Sequence, residues 1–474
     1  MTGEENATEA TFDIDVVDTL LPCRRYAISY RVAEAGKLSL ASEFVLRLVH
    51  SVDGMPEREA GEFFGFSGDE IAYAVDDLVT LGYVERRGEA LWLTASGQAA
   101  FSSGTDEPEL YEVEQRTDRH AFDLASFSPA RFESLSAFEM LLPELPVPSN
   151  QAASGSRSVP AAFRRHFDDL VRRATSLPLR RALLSVDSVT PLERFLTVVP
   201  VRVKGKISAP ASIEPDVSAS WTGYELDDRA EVVQSVSTFL RSARVRASDL
   251  DNAAFAALAK VAGEATHDYS RRERFRKDAF LRDALRRAGE LRSDRPTTFI
   301  VGSLLTDANQ LRLRRAFSYV SSDADDGGVV PIFWHIPMVP MWGASRRLPQ
   351  VVESLQHAPS DEGIGMTLWP VAAVGDVVPR HVDRAFDTSI LSRAKRMSVA
   401  SVEIFLLPKR LAAVLVHAGI EAPESYAIPL GILTFDQVLV QRASELLRSM
   451  IEPMHILKHQ GDYGVLQELI EGTL

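Results

Sequence analysis

The stretch SGDEIAYAVDDLVTLGYVERRGEALWLTASG, residues 67–97, contains the signals for a helix followed by a two-stranded hairpin. Ser67 and Glu70 match a capping box, in which a serine hydroxyl and a glutamate carboxylate accept hydrogen bonds from backbone N–H groups at the start of a helix. Gly82 suits the left-handed residue that ends many helices. The apolar residues between these signals recur at helical spacing and predict one buried stripe, formed by Ile71, Ala74, Val75, Leu78 and Leu81.

Two short apolar segments, residues 83–85 and 90–93, follow this helix and predict strands. Residues 86–89, Arg-Arg-Gly-Glu, form the turn between them. Two further helices are predicted upstream. One covers residues 40–52 and has one apolar face, and the other begins at Pro56 and ends at Gly65.

The whole run, about residues 40–101, resembles bacterial winged helix-turn-helix domains. The resemblance covers about 60 of the 474 residues, and the remainder resembles no family. The elements that carry it are Ala60–Phe66, the Ser67 cap, LVTLGYV (residues 78–84), the turn that corresponds to the wing, and LWLTASG (residues 91–97).

In this family the third helix usually enters the DNA major groove with its N-terminal side chains on base edges. Arg, Lys, Asn and Gln are the usual donors to those edges, and the matching positions here hold none of them. Positive charge lies in the wing, at Arg86 and Arg87, and upstream of the domain. The residues therefore favour protein docking or dimerisation, and DNA binding stays open as the alternative. The matching positions are Gly68, Asp69, Ala72, Tyr73, Asp76 and Asp77.

Composition and charge indicate a globular protein with an uneven charge distribution. The net charge is −14, and residues 1–150 contain 28 acidic and 11 basic residues, whereas residues 151–474 contain 38 and 41. The single cysteine, Cys23, excludes an internal disulfide and a zinc site built from several cysteines. No apolar run is long enough to span a bilayer. We expect a cytoplasmic protein without a membrane partner, and the excess of 44 arginines over 8 lysines is typical of a GC-rich bacterial genome.

The rest of the chain predicts a multidomain α/β protein. Residues 1–101 form the N-terminal segment with the winged helix, and 102–160 an acidic connector and linker. Residues 161–295 form a mainly helical middle region, with one helix over 269–291. Residues 296–474 form an α/β domain, because apolar strands alternate there with helices, as in mainly parallel βαβ sheets. One of its predicted helices covers Lys409–Ala418.

A cluster of basic residues between Arg271 and Arg295 could bind nucleic acid or an acidic protein face. Acidic residues between them favour a solvated helix with internal ion pairs, and docking onto the acidic N-terminal part of the chain is a third possibility. The cluster continues on the next helix. Besides Arg86 and Arg87, the candidate nucleic-acid-binding residues are Arg271, Arg272, Arg274, Arg276, Lys277, Arg312, Arg314 and Arg315.

Candidates for catalysis are weak. Ser303 and Asp307 lie at a strand-to-helix corner whose N–H groups could face an anion, and His335 follows another strand. The residues favour an ordinary helix cap at this corner over an anion site. His381, Asp383 and Asp387 could supply nitrogen and oxygen ligands to a metal ion. By themselves they do not form a convincing metal site, since histidine and aspartate are common in loops. We therefore expect no metal and no cofactor.

Three functions remain open. The residues favour a winged-helix adaptor or regulatory subunit in a larger DNA-handling or phage-defence complex, without evident catalysis. This protein would bind a protein partner, or a second copy of itself, through the winged helix, and nucleic acid could bind the Arg-rich helix. The alternatives are a DNA-binding transcription regulator with a ligand-sensing C-terminal body, and a diverged α/β nuclease or phosphodiesterase.

Overall fold

The computed structural model is a mixed α/β protein. It describes residues 11–35, 38–101, 108, 111–172, 181–209, 212–217, 229–246, 249–271, 274–321, 329–361, 367–375, 377–391, 400–420, 423–451, 455–458, 468 and 470–473. Their helices are α1 (Leu40–Ser51), α2 (Glu57–Phe64), α3 (Gly68–Thr80), α4 (Ala95–Ala99), α5 (Ser149–Arg165), α6 (Phe167–Arg172), α7 (Ala230–Ser242), α8 (Asp249–Val261), α9 (Gly263–Thr266), α10 (Lys277–Arg287), α11 (Asp307–Ser321), α12 (Arg347–Asp361), α13 (Arg380–Ala385) and α14 (Gln437–Met450). Their strands are β1 (Thr11–Ala35), β2 (Met55–Pro56), β3 (Val84–Arg87), β4 (Ala90–Leu93), β5 (Tyr111–Asp123), β6 (Arg181–Lys206), β7 (Ile213–Asp216), β8 (Val245–Arg246), β9 (Ser270–Arg271), β10 (Arg274–Phe275), β11 (Thr297–Val301), β12 (Val329–His335), β13 (Thr367–Val374), β14 (Thr388–Leu391), β15 (Val402–Leu407), β16 (Leu411–Gly419), β17 (Glu424–Ser425), β18 (Ala427–Thr434) and β19 (His455–Lys458).

The chain divides into two compact units, and neither is one continuous segment. The first contains the described residues of 1–23, 123–153 and 194–474, and the second contains those of 24–122 and 154–193. The chain passes between the units four times, within β1, β5, α5 and β6, and β1 and β6 are 25 and 26 residues long. The sequence predicts continuous domains instead, because sequence patterns do not show where a long strand leaves one core and enters another.

The second unit has a core of its own between α1, α2, α3 and a three-stranded sheet in the order β2-β4-β3. The predicted capping box is confirmed, since the Ser67 side chain accepts from the Glu70 N–H and the Glu70 carboxylate accepts from the Ser67 N–H. Gly82 has the predicted left-handed conformation, with φ of 75°. Leu81 is not part of the buried stripe and is 52% exposed, because it lies beyond the last turn of α3.

The first unit is built on a sheet of eight described strands in the order β11-β18-β16-β15-β12-β13-β14-β19. Among these strands only the pairs β12–β13 and β13–β14 are parallel, and the other neighbours are antiparallel. The prediction of a mainly parallel sheet is therefore wrong. The prediction of parallel pairing is right for β12 and β13, which α12 connects. Short connections join β15 to β16 and β16 to β18, and such connections produce antiparallel pairs.

The predicted helix over Lys409–Ala418 is wrong, because this segment forms β16. Lys409 has a positive φ of 61° and makes the tight turn after β15, where the Arg410 N–H donates to the Leu407 carbonyl at 3.0 Å. Every residue of β16 is buried between β15 and β18. A continuous apolar run of this kind has no period that separates a buried strand from a helix.

Helices cover both faces of this sheet. Phe405 of β15 meets Phe317 of α11 at a centroid distance of 6.1 Å, and Phe299 of β11 meets Phe280 of α10 at 5.4 Å. The strand register places Phe405 and Phe299 on opposite faces. Helices α8 and α14 pack against β16 as well. The sheet is therefore the middle layer of a three-layer core.

The two middle regions of the chain contain more strand than the sequence predicts. The connector at 102–160 contains β5 and the start of α5, and the mainly helical region at 161–295 contains β6 and β7. The single helix over 269–291 is also wrong, because β9 and β10 form a hairpin before α10 begins. Phe275 of this hairpin stacks on Phe255 at a centroid distance of 4.0 Å, and this packing turns the chain away from a continuous helix.

Candidate functional site

The outer face of α3 is acidic and carries an exposed aromatic ring. Asp69, Tyr73 and Asp76 follow one another at spacings of four and three residues, which places them on one side of the helix. All three are exposed, and Tyr73 is 75% exposed. Asp77 differs from them, because it is half-buried and accepts a hydrogen bond from the Ser42 hydroxyl at 3.1 Å.

Arg86, in β3, is held by two carboxylates of its own unit. Its Nε and Nη2 donate to Glu57 at 2.7 and 3.0 Å, and its Nη1 donates to Asp76 at 2.5 Å. These hydrogen bonds raise the pKa of Arg86 further above its ordinary value. One positive charge therefore faces two negative charges, and a phosphate at this point would have to displace a carboxylate.

The second wing arginine, Arg87, is more accessible. Its side chain is 63% exposed and forms an ion pair with Glu85. Its guanidinium group also lies 5.4 Å from the centre of the Trp92 ring, within the range of a cation–π contact. The β3–β4 hairpin therefore offers one accessible guanidinium group beside an acidic helix.

An aromatic cluster lies on the neighbouring helices of the same unit. It consists of Phe44 on α1, Phe63 and Phe64 on α2, and Phe66 in the turn that follows. Their ring centroids are 6.3 Å apart for Phe44–Phe64, 5.0 Å for Phe63–Phe64 and 5.5 Å for Phe64–Phe66. Phe63 is 68% exposed and Phe44 43%. Contiguous exposed apolar side chains of this kind mark interaction sites on protein surfaces.

The Arg-rich segment is divided between structural and exposed positions. Lys277 is a structural tether, because its Nζ donates to Asp251 at 2.7 Å and to the Gly419 carbonyl at 2.6 Å. Arg274 and Arg276 are exposed. Arg272 and the side chain of Arg271 lie outside the described residues.

The three arginines of α11 have different environments. Arg312 is half-buried, its Nη1 donates to Asn309 at 2.6 Å, and burial lowers its pKa. Arg315 is exposed and pairs with Glu290. Arg314 is exposed, and among the described residues no carboxylate lies within ion-pairing distance of it. The basic residues of α10 and α11 therefore do not form one continuous strip of free charge.

The structure does not bring the three catalytic candidates together. Ser303 follows β11 and His335 ends β12, and three strands lie between them, so they are roughly 19 Å apart along the sheet. His335 is buried and donates from Nδ1 to the Val402 carbonyl at 3.0 Å, and burial lowers its pKa to about 4. Asp307 forms ion pairs with Arg347 and Arg202 at 2.5 and 3.2 Å.

The N–H groups of Gly302, Ser303 and Leu305, at the strand-to-helix corner, have acceptors within the protein. The N–H of Gly302 donates to the Pro429 carbonyl and the N–H of Ser303 to the Ile14 carbonyl, each at 2.8 Å. The N–H of Leu305 donates to the Ser303 hydroxyl at 3.2 Å. The Ser303 hydroxyl therefore closes a turn ahead of α11, and its backbone N–H joins this corner to β1.

The metal candidates have other partners. His381 Nε2 donates to the Trp342 carbonyl at 2.8 Å, and Asp387 accepts from Gln356 at 3.1 Å. Within the described ranges, no group of three or more His, Cys, Asp or Glu side chains is arranged to hold a metal ion.

The first unit contains a buried polar network that the sequence does not predict. Glu403 of β15 accepts from His417 Nε2 at 2.6 Å and from Trp334 Nε1 at 2.8 Å. Nearby, the Tyr426 hydroxyl donates to Asp15 at 3.0 Å. The available signal was a charged or polar residue inside an apolar run, as in VEIFLL and LAAVLVHAG. Such residues need a partner when they are buried, but the sequence does not show which one.

None of the described helices is long and apolar enough to cross a membrane. No family model matches this chain, and no curated protein matches it.

Proposed function

We propose that residues 40–101 form a winged helix-turn-helix module that docks a protein partner, and that the whole chain is an adaptor or regulatory subunit. The observation that carries this proposal is the electrostatics of α3 and the wing. Asp69 and Asp76 occupy the outer face of α3, and Arg86 is neutralised by Glu57 and Asp76. Such a face repels a DNA backbone, whose phosphates require free positive charge.

The aromatic cluster supports a protein as the partner. Phe63 and Phe44 are exposed although they belong to a unit with its own buried core, so their exposure does not result from an incomplete fold. Aromatic side chains contribute much of the binding energy at protein interfaces. The exposed Tyr73 on α3 adds a third ring beside carboxylates. A partner with an apolar pocket and basic residues at its edge fits both features.

The body of the first unit supports a role without catalysis. Ser303, Asp307 and His335 are separated or engaged in structural contacts. The proposed role is therefore to connect the partner of the winged helix to a larger assembly, such as a bacterial DNA-handling or phage-defence complex.

The test compares full-length wild type with the double variant Phe63→Ser and Tyr73→Ser. Both are expressed in the native host at native level, and the mass of the native particle is measured. We expect wild type in a complex larger than a monomer, and loss of that complex in the double variant. Arg58→Ser, also on exposed α2, is the matched control and keeps the complex.

A second measurement addresses the DNA alternative. Fluorescence anisotropy with a mixed-sequence duplex across a salt series compares wild type with Arg87→Ala. Tight, salt-dependent binding that is lost in Arg87→Ala would show that the wing binds DNA and would overturn the proposal. Recovery of wild type as a lone monomer from its host would overturn it too.

A further inference from the structure

A groove of about 510 Å³ runs between α11 and α12 in the first unit. Its volume is within the range of small-molecule sites in proteins, roughly 300–1,000 Å³. Residues at helical spacing line it from both sides, so its shape is set by two packed helices. The lining includes Asp307, Arg314 and Phe317 from α11, and Arg347, Val351 and Leu355 from α12.

One end of the groove has an excess of positive charge. Asp307 is the acidic residue among those that line it, and both of its oxygens are engaged, by Arg347 at 2.5 Å and by Arg202 at 3.2 Å. Arg314 also lines the groove, close enough to act electrostatically on Asp307, and it has no ion pair with any described residue. Three guanidinium groups and one carboxylate leave a charge of about +2 at this end.

The floor of the groove is apolar. Leu313 and Phe317 from α11 face Val351 and Leu355 from α12, and all four side chains are largely buried beneath the opening. An apolar floor binds the body of a ligand by removing it from water. A guanidinium group at the edge binds carboxylate, sulfonate or phosphate in charge-assisted hydrogen bonds.

We propose that this groove binds a small amphiphilic organic anion. The acidic head group lies against Arg314, and the apolar or aromatic body lies on Phe317 and Leu355. This site is separate from the winged helix, and it gives the first unit a ligand-sensing role beside the docking role of the second.

The experiment uses two fluorescent probes with similar aromatic bodies. 1-Anilinonaphthalene-8-sulfonate has a sulfonate, and N-phenyl-1-naphthylamine has no charge. Each is titrated into the full-length wild type, Arg314→Gln and Arg315→Gln. Arg315 is the matched control, because it lies on the same helix, pairs with Glu290 and does not line the groove.

Charge-assisted recognition predicts about tenfold weaker binding of the sulfonate by Arg314→Gln. Binding of the neutral probe changes by less than about twofold, and Arg315→Gln behaves as wild type. Equal weakening by the two glutamine variants, or equal weakening of both probes, would overturn the proposal.

A second variant, Ser354→Trp, fills the groove from exposed α12 and should reduce binding of both probes. Circular dichroism confirms that each variant is folded. The variant Phe63→Ser removes the main exposed ring of the aromatic cluster, which also attracts such dyes, and the groove signal must persist in it. Binding unaffected by Ser354→Trp would place the dye elsewhere and contradict the proposal.

Discussion

The imidazole Nε2 of His417 lies 2.6 Å from the Oε2 of Glu403 in the interior of the eight-stranded sheet. The side chains are 4% and 1% exposed, so this is one of the least accessible ion-pairing contacts in the described chain. Trp334 Nε1 donates to the other carboxylate oxygen at 2.8 Å. Neighbouring strands β12, β15 and β16 each contribute one member, so the network joins the consecutive strands β15 and β16 to β12, whose Trp334 is 69 residues away from Glu403.

We predict that Glu403→Ala lowers the free energy of unfolding by about 3–5 kcal/mol, because it leaves two buried donors without an acceptor. Glu403→Gln retains one acceptor oxygen for Trp334 and loses less. The measurement is urea denaturation of the three proteins. A loss below about 1 kcal/mol in Glu403→Ala would show that water or a rearranged side chain replaces the carboxylate.

The raised pKa of Asp15 leads us to predict that the stability of the protein depends on pH. Burial raises its pKa from 3.8 to about 6, although hydrogen bonds from Val16 and Tyr426 oppose this. The folded state thus holds a proton that the unfolded state releases, so the stabilisation is complete below about pH 3.8 and is lost as the pH rises through 6. Asp15→Asn removes this titration.

The difference in unfolding free energy between wild type and Asp15→Asn should therefore change in favour of the variant between pH 4 and 7. The expected size is on the order of 3 kcal/mol. The comparison isolates Asp15 from His335, whose lowered pKa has the opposite effect, since its neutral folded form is destabilised as the pH falls from 6.5 towards 4. If this difference in unfolding free energy did not change with pH, the pKa of Asp15 would not be raised in the folded state.

Arg86→Met tests whether the wing arginine serves the fold of its own unit. Its bonds to Glu57 and Asp76 are partly exposed, with an arginine side chain 34% exposed, so the expected loss of stability is about 1 kcal/mol and shrinks at high salt. Arg87→Met, whose ion pair is more exposed, should cost less. Thermal melts at two salt concentrations measure both. Equal losses in the two variants would show that the Glu57 and Asp76 bonds contribute no more to stability than the exposed Arg87 ion pair.

Lys409→Gly tests the turn between β15 and β16. Lys409 has a φ of 61°, a conformation that costs a residue with a side chain about 1 kcal/mol. Glycine at this position should raise the free energy of unfolding by about 0.5–1 kcal/mol. Arg410→Gly is the control and should lower it, since Arg410 donates to the Val320 carbonyl at 2.9 Å. Destabilisation by Lys409→Gly would contradict the positive φ of Lys409 in this turn.

Sequence patterns predicted the local elements of the second unit well. The predicted helix at 40–52 forms as α1, and the capping box at Ser67 and the hairpin are present. The turn of the hairpin is shorter than the predicted 86–89, because Arg86 and Arg87 belong to β3 and pair with Leu91 and Ala90. These elements depend on residues within a few positions of one another, and caps and periodicity report such contacts directly.

The candidate surface was predicted only in part. The acidic face of α3 followed from helical spacing, and the structure retains Asp69, Tyr73 and Asp76 there. The neutralisation of Arg86 did not follow, because Glu57 is 29 residues away and reaches it only when β2, β4 and β3 form one sheet. The α11–α12 groove likewise needs two helices that are separated by a strand.

The sequence by itself determined the three helices between residues 40 and 80, that α3 has an acidic outer face, and that apolar strands and helices alternate near the C-terminus. The tertiary structure alone decided that residues 411–419 are a strand, that most strand pairs are antiparallel, and that β1 and β6 are shared between two units. It also decided that Glu403 faces His417. The physical reason is that strand pairing and buried polar contacts derive their energy from partners far away in the chain, whereas helix signals act within a few residues.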